Sequence, residues 1–339
     1  MEETQLRALG TYLEAHLPGF RGLRTAQKFS DGQSNPTYKL RAESGAYVLR
    51  RKPPGELLKS AHAVDREFRV LSALADTDVP VARALHLCAD DSVLGSMFYV
   101  MEFVEGRVFW DPALPGVDAA DRAAIYDQMN MALAAIHSVD LGAVGLSDFG
   151  RAGSYYDRQY TTWVRQYRAT QTGDIPAMER IMDWLGANMV ADDGWVSLVH
   201  GDYRLDNVMF APDAPRLIAV MDWELSTLGH PLADLAYQCM LWRMPPGPVL
   251  SGLESVDRAA LGLPTEEDYV ARYCERMGIA RIDNWEFYLV FGLFRLAAIV
   301  QGVGFRGVQG NASSDRALQV GALAAPLAEK ACEILDGKG

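Results

Sequence analysis

A polar loop between two short apolar strands constrains the fold of this chain more than any other stretch. Residues 198–210 begin as an apolar strand and enter a loop that carries His200, Asp202 and Asn207. Residues 217–224 begin as a second apolar strand, which ends at Asp222. Gly201 has no side chain to oppose a tight turn in the loop. The stretch therefore predicts a strand, a compact polar loop and a second strand.

The residue types of this loop suit phosphoryl transfer. The order His-x-Asp, four residues, Asn, and then an acid at a strand end is that of a kinase catalytic loop and its magnesium-binding partner. A carboxylate at Asp202 can take the proton of an acceptor hydroxyl. Asn207 and Asp222 offer the hard oxygen ligands that Mg²⁺ prefers. Each piece alone also occurs in ordinary turns and helix caps, so the catalytic interpretation depends on their order and on the flanking strands.

Strand patterns dominate the N-terminal part of the sequence. Residues 29–40 predict two strands joined at Asp31 and Gly32, a pair that is typical of hairpin turns. Such a loop can lay backbone N–H groups over phosphates, and a plain hairpin is the alternative. Apolar periodicity predicts strands at residues 46–50, 81–88 and 97–104 and a helix at residues 57–75.

Arg50 and Glu67 are candidates for the ion pair that positions ATP phosphates in kinases, where a strand cation meets a helical glutamate. Val48 and Arg50 share one face of their predicted strand. Protein kinases use Lys at the position of Arg50. The planar guanidinium group of Arg differs from the compact ammonium group of Lys. Lys52 is therefore a second candidate for the cation. The alternative for Glu67 is a solvated helix position, paired with a neighbouring basic residue.

Helical periodicity replaces the strand patterns after Gly106. Helices are predicted at residues 118–137, 155–172, 175–189, 232–241, 265–278, 284–302 and 316–335. Asp234 lies in the first turn of one of them, where a carboxylate complements the helix dipole. We therefore expect Asp234 to be a structural residue that bonds the polar loop from below, rather than a catalytic one.

The amino-acid composition and net charge limit the class of protein and its partners. The chain has 339 residues, of which 49% are hydrophobic and 22% charged, as expected for a soluble globular protein. The net charge of −12 argues against nucleic acid and an anionic membrane as partners. Four scattered cysteines fit a reducing compartment, and the N-terminus lacks signal-peptide features. We expect a cytoplasmic protein, in which the apolar run at residues 287–303 is a buried helix rather than a membrane span.

Six longer strings carry a family resemblance. They are Gly-Gln-Ser-Asn-Pro at 32–36, Leu-Arg-Arg-Lys-Pro-Pro-Gly at 49–55, Ser-Ala-His at 60–62, Ile-His-Ser-Val-Asp at 136–140, Ile-Pro-Ala-Met-Glu-Arg at 175–180 and Asp-Trp-Glu-Leu-Ser-Thr-Leu-Gly at 222–229. The chain resembles the aminoglycoside phosphotransferase-like family, and most closely the kinase-like domain of acyl-CoA dehydrogenase family members 10 and 11. The resemblance implies an α+β, protein-kinase-like two-lobe fold. Residues 1–104 would form a small antiparallel-sheet N-lobe that binds nucleotide, and residues 105–339 a larger, mainly helical C-lobe.

The resemblance also implies roles for residues that match the family motifs. Asp202 would be the catalytic base, and Asn207 and Asp222 would hold Mg²⁺. ATP is the implied phosphate donor. The implied nucleotide-binding residues are Ser34 and Asn35 over the phosphates, Val48, Arg50 and Glu67 on the strand and helix that follow, and Met101, Glu102 and Phe103 beside adenine.

The acceptor expected from this resemblance is a small molecule with a hydroxyl group. Members 10 and 11 are associated with phosphorylation of 4-hydroxyacyl-CoA, so we expect a hydroxyacyl-CoA or a related hydroxy acid. Phosphorylation would turn a poor leaving group into a good one and ease a later elimination. Candidate cations for such an anionic acceptor are Arg204, Arg243, Arg295 and Arg306.

Two other functions are open to the sequence. An aminoglycoside, choline or homoserine kinase would need acids around its acceptor, but Asp257, Glu266, Glu267 and Asp268 are predicted to be surface helix charges. A nucleotide-binding pseudokinase usually lacks the base or a metal ligand, and Asp202, Asn207 and Asp222 are all present here.

Overall fold

A computed structural model describes residues 1–29, 35–53, 63–151, 153–309 and 314–338 of the chain. The elements up to residue 102 are α1 (Glu3–His16), β1 (Leu23–Lys28), β2 (Thr37–Ala42), β3 (Gly45–Arg51), α2 (Val64–Leu74), β4 (Ala84–Cys88), α3 (Asp91–Leu94) and β5 (Phe98–Glu102). Strands β3, β4 and β5 match those predicted at residues 46–50, 81–88 and 97–104, and β2 begins in the second half of residues 29–40. The first strand predicted in residues 29–40 is wrong, since β1 ends at Lys28. The turn predicted at Asp31 and Gly32 lies outside the described residues. Of the predicted helix at residues 57–75, the first part lies outside the described residues.

Helices are the main secondary structure of the remaining chain. Its elements are α4 (Ala119–His137), α5 (Tyr155–Thr170), α6 (Pro176–Ala187), β6 (Ser197–Val199), β7 (Val208–Phe210), β8 (Leu217–Val220), β9 (Thr227–Gly229), α7 (Leu232–Trp242), α8 (Arg258–Leu261), α9 (Glu266–Met277), α10 (Trp285–Val308), α11 (Ser314–Gly321) and α12 (Ala324–Leu335). Short 3-10 turns lie at Leu205–Asn207 and Trp223–Leu225. The predicted α+β class is confirmed, with an antiparallel sheet in the N-terminal part and a helical C-terminal part.

The N-terminal sheet has five strands in the order β1-β2-β3-β5-β4, and every neighbouring pair is antiparallel. One face packs on α1, where Leu9 and Leu13 join Leu49 in a buried apolar cluster. Successive side chains of a strand point to opposite faces. Because Leu49 faces α1, its neighbours Val48 and Arg50 lie on the other face of β3.

Helix α2 packs against β4 and β5 and buries a charged residue. Its buried positions include Val64, Leu71 and Leu74, and Glu67 is only 1% exposed. The alternative that Glu67 is a solvated surface residue is therefore wrong. A buried carboxylate needs compensating partners, because water no longer stabilises its charge.

Helix α10 is central to the C-terminal helices and contacts α5, α6, α7, α11 and α12. Among the described helices it is the one that is long and apolar enough to cross a membrane, with a mean hydropathy of 1.7 over its most apolar window. However, 78% of that window is buried inside the protein. Burial of this extent is typical of a core helix, as expected for residues 287–303.

The single helix predicted at residues 316–335 is wrong, since two helices, α11 and α12, occupy this stretch. The chain turns after Gly321, the last residue of α11. A Cβ added to Gly321 would lie 2.6 Å from the Gly304 Cα of α10. This close backbone approach is a tertiary constraint, which the periodicity of one segment cannot show.

The chain forms two compact units. The first comprises Met1–Arg107, Asp140–Leu146 and Asn207–Ser226, and the second comprises Val108–Val139, Ser147–Asp206 and Thr227–Gly339. The β7–β8 pair belongs to the first unit and the β6–β9 pair to the second. The sequence predicted one boundary, between residues 104 and 105, whereas each compact unit is built from several segments of the chain. The functional boundaries stay a prediction.

The helix contact at Gly304 leads to a stability prediction. A Cβ at position 304 would lie 2.8 Å from the Gly321 Cα, whereas the nearest atom to a Cβ at position 302 is the Arg306 side chain at 3.8 Å. We expect Gly304→Ala to lower the free energy of unfolding by about 1–3 kcal/mol, the usual cost of overpacking. Gly302→Ala on the same helix is the matched control and should be neutral or slightly stabilising. Urea denaturation of both variants checks this, and equal effects would contradict it.

Candidate active site

The buried carboxylate of Asp234 holds the start of the polar loop. Asp234 lies in the first turn of α7 and has no exposed surface. Its Oδ2 accepts a hydrogen bond from the backbone N–H of His200 at 2.6 Å, and its Oδ1 accepts one from the N–H of Gly201 at 2.8 Å. The expectation that Asp234 bonds the loop as a structural residue is confirmed.

Two residues from other helices extend this support. His137 Nε2 of α4 lies 3.4 Å from Asp234 Oδ2, and His137 Nδ1 lies 2.7 Å from the hydroxyl of Tyr273 on α9. Burial alone would raise the pKa of Asp234, but the hydrogen bond and charge of His137, the charge of His200 and the N–H of Gly201 hold that pKa below its usual value. The carboxylate therefore stays ionised and keeps both loop N–H groups engaged.

The loop itself makes a tight turn at Gly201, whose φ of 86° lies in the left-handed region that favours glycine. After the turn, the Asp202 N–H donates to His200 Nδ1 at 3.2 Å. The Tyr203 hydroxyl donates to the Met129 carbonyl oxygen at 2.7 Å. Backbone and side-chain bonds thus fix the residues on both sides of Asp202.

Arg204 and Tyr237, which belong to the same unit, lie beside the Asp202 carboxylate. Arg204 Nε lies 3.5 Å from Asp202 Oδ1. The Tyr237 hydroxyl of α7 hydrogen-bonds to the same carboxylate. Burial, and then the negative charge of Asp202, raise the pKa of Tyr237 well above its usual value. The hydroxyl therefore stays protonated and donates to Asp202.

The sequence interpretation missed Tyr237. It follows Asp234 by three positions, which places both side chains on neighbouring parts of one helical surface. This three-residue spacing was the available signal. If Asp234 faces the polar loop, the residue one helical turn later, at position 237, faces the loop as well.

In the first unit, Arg50 is surrounded by three acids. Its Nε lies 2.9 Å from Glu67 Oε2, and its Nη2 lies 2.5 Å from Asp222 Oδ1 and 3.4 Å from Glu224 Oε2. Burial lowers the pKa of Arg50, but the charges of Glu67, Asp222 and Glu224 raise it above its usual value. The structure therefore brings Arg50 and Glu67 together. Lys52 Nζ instead lies 3.9 Å from Asp65 Oδ1.

Glu67 is held by neutral partners as well. Its Oε1 accepts from Asn35 Nδ2 at 2.9 Å, and its Oε2 accepts from the Tyr99 hydroxyl at 3.0 Å. Burial raises the pKa of Glu67 to about 7, against the opposing effect of the Arg50 charge. Asn35, expected over the phosphates, is thus tied to the predicted ion pair. Ser34 lies outside the described residues.

Asn207 and Asp222 lie at one end of the β7–β8 pair. The Met221 N–H donates to the Asn207 carbonyl oxygen at 2.9 Å, just beyond the pairing of Val208 with Val220. Asp222 has a φ of 63°, which is rare for a residue with a side chain and stores backbone strain. The hairpin therefore brings the two predicted metal ligands to the same end of a small sheet.

The predicted adenine-binding residues lie on adjacent strands of the five-stranded sheet. Met101 of β5 pairs with Val48 of β3. The Glu102 N–H donates to the Arg83 carbonyl oxygen at 3.0 Å, and Lys39 Nζ lies 3.5 Å from the centroid of the Phe103 ring. Val48 and Met101 are thus neighbours, as one nucleotide-binding surface requires.

The candidate acceptor cations have different surroundings. Arg204 Nη2 pairs with Asp206 Oδ2 at 3.0 Å, and the Arg295 guanidinium carbon lies 5.9 Å from the Tyr237 ring centroid. Arg306 is exposed near the end of α10. Arg243 forms a bidentate pair with Glu266 at 2.8 and 2.7 Å. This pair commits Arg243 to a structural contact.

Glu266 corrects one sequence expectation. It was predicted to be a surface helix charge, but it is only 7% exposed. The fork of Arg243 and the Trp285 Nε1–H, at 2.8 Å, satisfy its carboxylate and allow its burial.

Comparison with known proteins agrees with this architecture. The sequence pattern of the phosphotransferase enzyme family matches residues 25–272. Acyl-CoA dehydrogenase family member 10 of Mus musculus is 48% identical over 333 residues, which cover 96% of this chain and 31% of that protein. The chain thus spans about a third of the length of this curated relative. The six sequence strings predicted a resemblance to the kinase-like part of the same protein.

Two solved structures share the fold. A Ralstonia eutropha protein, provisionally named an aminoglycoside phosphotransferase, is 49% identical with a TM-score of 0.89, and the match covers 96% of this chain and 97% of that one. Spectinomycin phosphotransferase in complex with ADP and spectinomycin has a TM-score of 0.64 at 14% identity, covering 96% and 97% of the two chains. The predicted protein-kinase-like fold is confirmed.

The raised pKa of Glu67 generates a pH prediction. The Glu67 carboxyl group binds its proton more tightly in the folded state than in the unfolded chain, where Glu67 has the ordinary pKa near 4.5. The stabilisation is therefore complete below about pH 4.5 and is lost as the pH rises through about 7. We expect the free energy of unfolding of the wild-type protein to fall over this range relative to that of Glu67→Gln, in urea denaturation without nucleotide.

A control separates this effect from the loss of any carboxylate. Glu329 of α12 is exposed, so Glu329→Gln should follow the wild-type pH profile. Parallel profiles for the wild type and Glu67→Gln would show that Glu67 does not bind its proton more tightly in the folded state.

Proposed function

Since the chain belongs to the phosphotransferase enzyme family and is a small-molecule phosphotransferase that acts on hydroxyl groups, we propose that it transfers the γ-phosphoryl group of ATP to a hydroxyacyl-CoA or a related hydroxy acid. The observation that carries the acceptor class is the 48% identity, over 96% of this chain, with a protein named for chemistry on acyl-CoA. A cytoplasmic location stays a prediction.

The residues of the first unit suit a nucleotide. In our proposal, Arg50 clamps phosphate oxygens and Glu67 orients its guanidinium, with which it pairs at 2.9 Å. Asn35, bonded to Glu67, and Ser34 would bind phosphate oxygens. Val48, Met101, Glu102 and Phe103 line the adenine site.

Asn207 and Asp222 suit Mg²⁺ by donor chemistry, because an amide oxygen and a carboxylate are both hard oxygen ligands. In the part of the chain that the structure describes, no group of three or more His, Cys, Asp or Glu side chains is placed to hold a metal alone. Mg²⁺ commonly uses one or two carboxylates together with substrate phosphates and water. When bound, Mg²⁺ would neutralise charge on the phosphates.

Asp202 would act as the base. Its carboxylate takes the proton of the acceptor hydroxyl as the new O–P bond forms and the bond from phosphorus to ADP breaks. Asp234 fixes the backbone before Asp202, and Tyr237 donates to the carboxylate itself. Catalysis thus depends on the orientation of a carboxylate that two residues of one helix support.

An aminoglycoside or amino-alcohol kinase is the second candidate. The 49% identity with a Ralstonia eutropha protein provisionally named an aminoglycoside phosphotransferase favours it. An ammonium-rich acceptor needs nearby carboxylates, and Glu266 is already engaged by Arg243 and Trp285. A nucleotide-binding pseudokinase is the third, and the presence of Asp202, Asn207 and Asp222 argues against it.

An acceptor panel tests the proposal. We expect Mg²⁺-dependent ADP release to be stimulated by hydroxyacyl-CoAs or free hydroxy acids, and not by choline, homoserine or aminoglycosides. Asp202→Ala should lower transfer at least a hundredfold while retaining ATP binding, because it removes the base and leaves the first unit intact. Stimulation by amines alone would favour the second candidate, and full activity of Asp202→Ala would refute the role of Asp202.

Tyr237 has a separate test as a positioning residue. We expect Tyr237→Phe to lower kcat about tenfold, equivalent to about 1.4 kcal/mol, with the KM for ATP unchanged, because the carboxylate loses one orienting bond. Tyr160→Phe is the matched control, since its hydroxyl donates to the Met182 carbonyl at 2.9 Å. It should leave kcat unchanged. Equal kcat values for Tyr237→Phe and the wild type would contradict the role.

A further inference from the structure

A cleft of about 370 Å³ opens beside the polar loop. It lies wholly within the second unit, and its described lining comes from α4, α7, α11, residues 110–112 and 247–251, and the loop residues Arg204, Leu205 and Asp206. Its volume falls in the range of about 300–1,000 Å³ that is typical of small-molecule sites. A molecule in this cleft would therefore lie next to Arg204, Leu205 and Asp206, which come shortly after Asp202 in the loop.

One side of the cleft is apolar and partly exposed. Trp110 is 66% exposed and Val249 is 39% exposed, and both line the cleft. Leu241 and Trp242 continue the apolar lining as buried side chains. Large apolar side chains that remain exposed around a concave site favour a ligand with an apolar segment.

The charges of the cleft add to zero. Its described ionised side chains are two acids, Asp111 and Asp206, and two arginines, Arg204 and Arg316. Arg204 is already paired with Asp206 at 3.0 Å. A polyammonium acceptor would need an excess of acids, and phosphate groups would need an excess of cations. The lining offers neither, so it suits an uncharged part of a ligand.

Gln238 gives this neutral cleft a polar contact. Its side chain is only 2% exposed, and its Oε1 accepts from the Tyr269 hydroxyl at 2.8 Å. Its Nε2 bonds Met129 Sδ at 3.8 Å, and a thioether is a weak acceptor for an amide with two N–H groups. Gln238 and Met129 both line the cleft. Among the described residues, this buried amide therefore has bonding capacity left on the lining of the cleft.

We propose that this cleft binds the acyl portion of the acceptor, with the carbon chain against Trp110, Trp242 and Val249 and the acyl carbonyl oxygen accepting a hydrogen bond from Gln238 Nε2. This rests on the proposed function and names the part of the acceptor that the second unit recognises. Tyr237, which bonds Asp202, directly precedes Gln238 on α7. One short chain thus presents its hydroxyl to Asp202 and its carbonyl to Gln238.

The test compares a hydroxyacyl-CoA with its thioether analogue, in which a methylene replaces the carbonyl. Gln238→Leu and Gln238→Glu both remove the donor N–H groups, and Glu keeps an acceptor for Tyr269. We expect each variant to lower kcat/KM for the thioester about tenfold to a hundredfold, with the KM for ATP unchanged. The thioether lacks the acceptor oxygen, so its kcat/KM should be the same for wild type and variants.

Trp110→Ala tests the apolar wall. We expect it to flatten the dependence of kcat/KM on acyl chain length, because the longer chains lose their contact with the indole ring. Met131→Ala is the matched control, since Met131 is exposed on α4 but does not line the cleft. It should keep the wild-type dependence on chain length.

Binding of hexanamide, which has an apolar chain and one carbonyl but no hydroxyl, separates the two proposals. Ligand-observed NMR should show binding to the wild type and to Met131→Ala, with loss in Trp110→Ala and Gln238→Glu. Phosphorylation of hydroxyacyl-CoA without any effect of these variants would overturn the cleft assignment and leave the proposed function standing. Variant-sensitive hexanamide binding without hydroxyacyl phosphorylation would overturn the acceptor class and support the cleft assignment.

Discussion

The buried negative charge of Asp234 determines how the second unit arranges its polar residues. A carboxylate without exposed surface is costly unless hydrogen bonds and nearby charge compensate it. Two backbone N–H groups and His137 supply that compensation here. The same helix then presents Tyr237 to Asp202 and Gln238 to the neighbouring cleft. Supporting charge, orienting hydroxyl and cleft donor thus lie within five consecutive positions of α7, so the position of one helix sets all three.

The first unit has the opposite electrostatic problem. One guanidinium, Arg50, faces the three carboxylates of Glu67, Asp222 and Glu224, so the group has more negative than positive charge. Burial is the main cause that raises the pKa of Glu67 to about 7, and the charges of Asp222 and Glu224 add to it. A proton on Glu67 relieves part of the imbalance. A divalent cation at Asp222 would relieve the rest. The excess of acid is therefore consistent with a site that binds Mg²⁺ together with phosphates.

The sequence predicted the features that depend on local order and missed those that depend on tertiary packing. Most of the strands, the tight turn at Gly201 and the support by Asp234 followed from motif spacing and helix signals. Gln238 did not, because α7 is buried at nearly every position and its apolar pattern marks no single face. Tyr237 was missed although its three-residue spacing from Asp234 was visible in the sequence. The burial of Glu67 and Glu266 required partners from Arg50 and Arg243. The end of α11 at Gly321 required a glycine on another helix.

The net charge of the chain also fails to describe the cleft beside the polar loop. The chain carries −12 overall, yet the ionised side chains in the described cleft lining add to zero. The difference matters for specificity, because a charged group that enters a neutral, partly apolar cleft loses hydration without gaining a partner. Such a cleft disfavours ammonium and phosphate groups even though it contains no side chain that repels them. In our proposal, desolvation and one N–H donor select an uncharged acyl chain, and the net charge of the whole protein has no part in that selection.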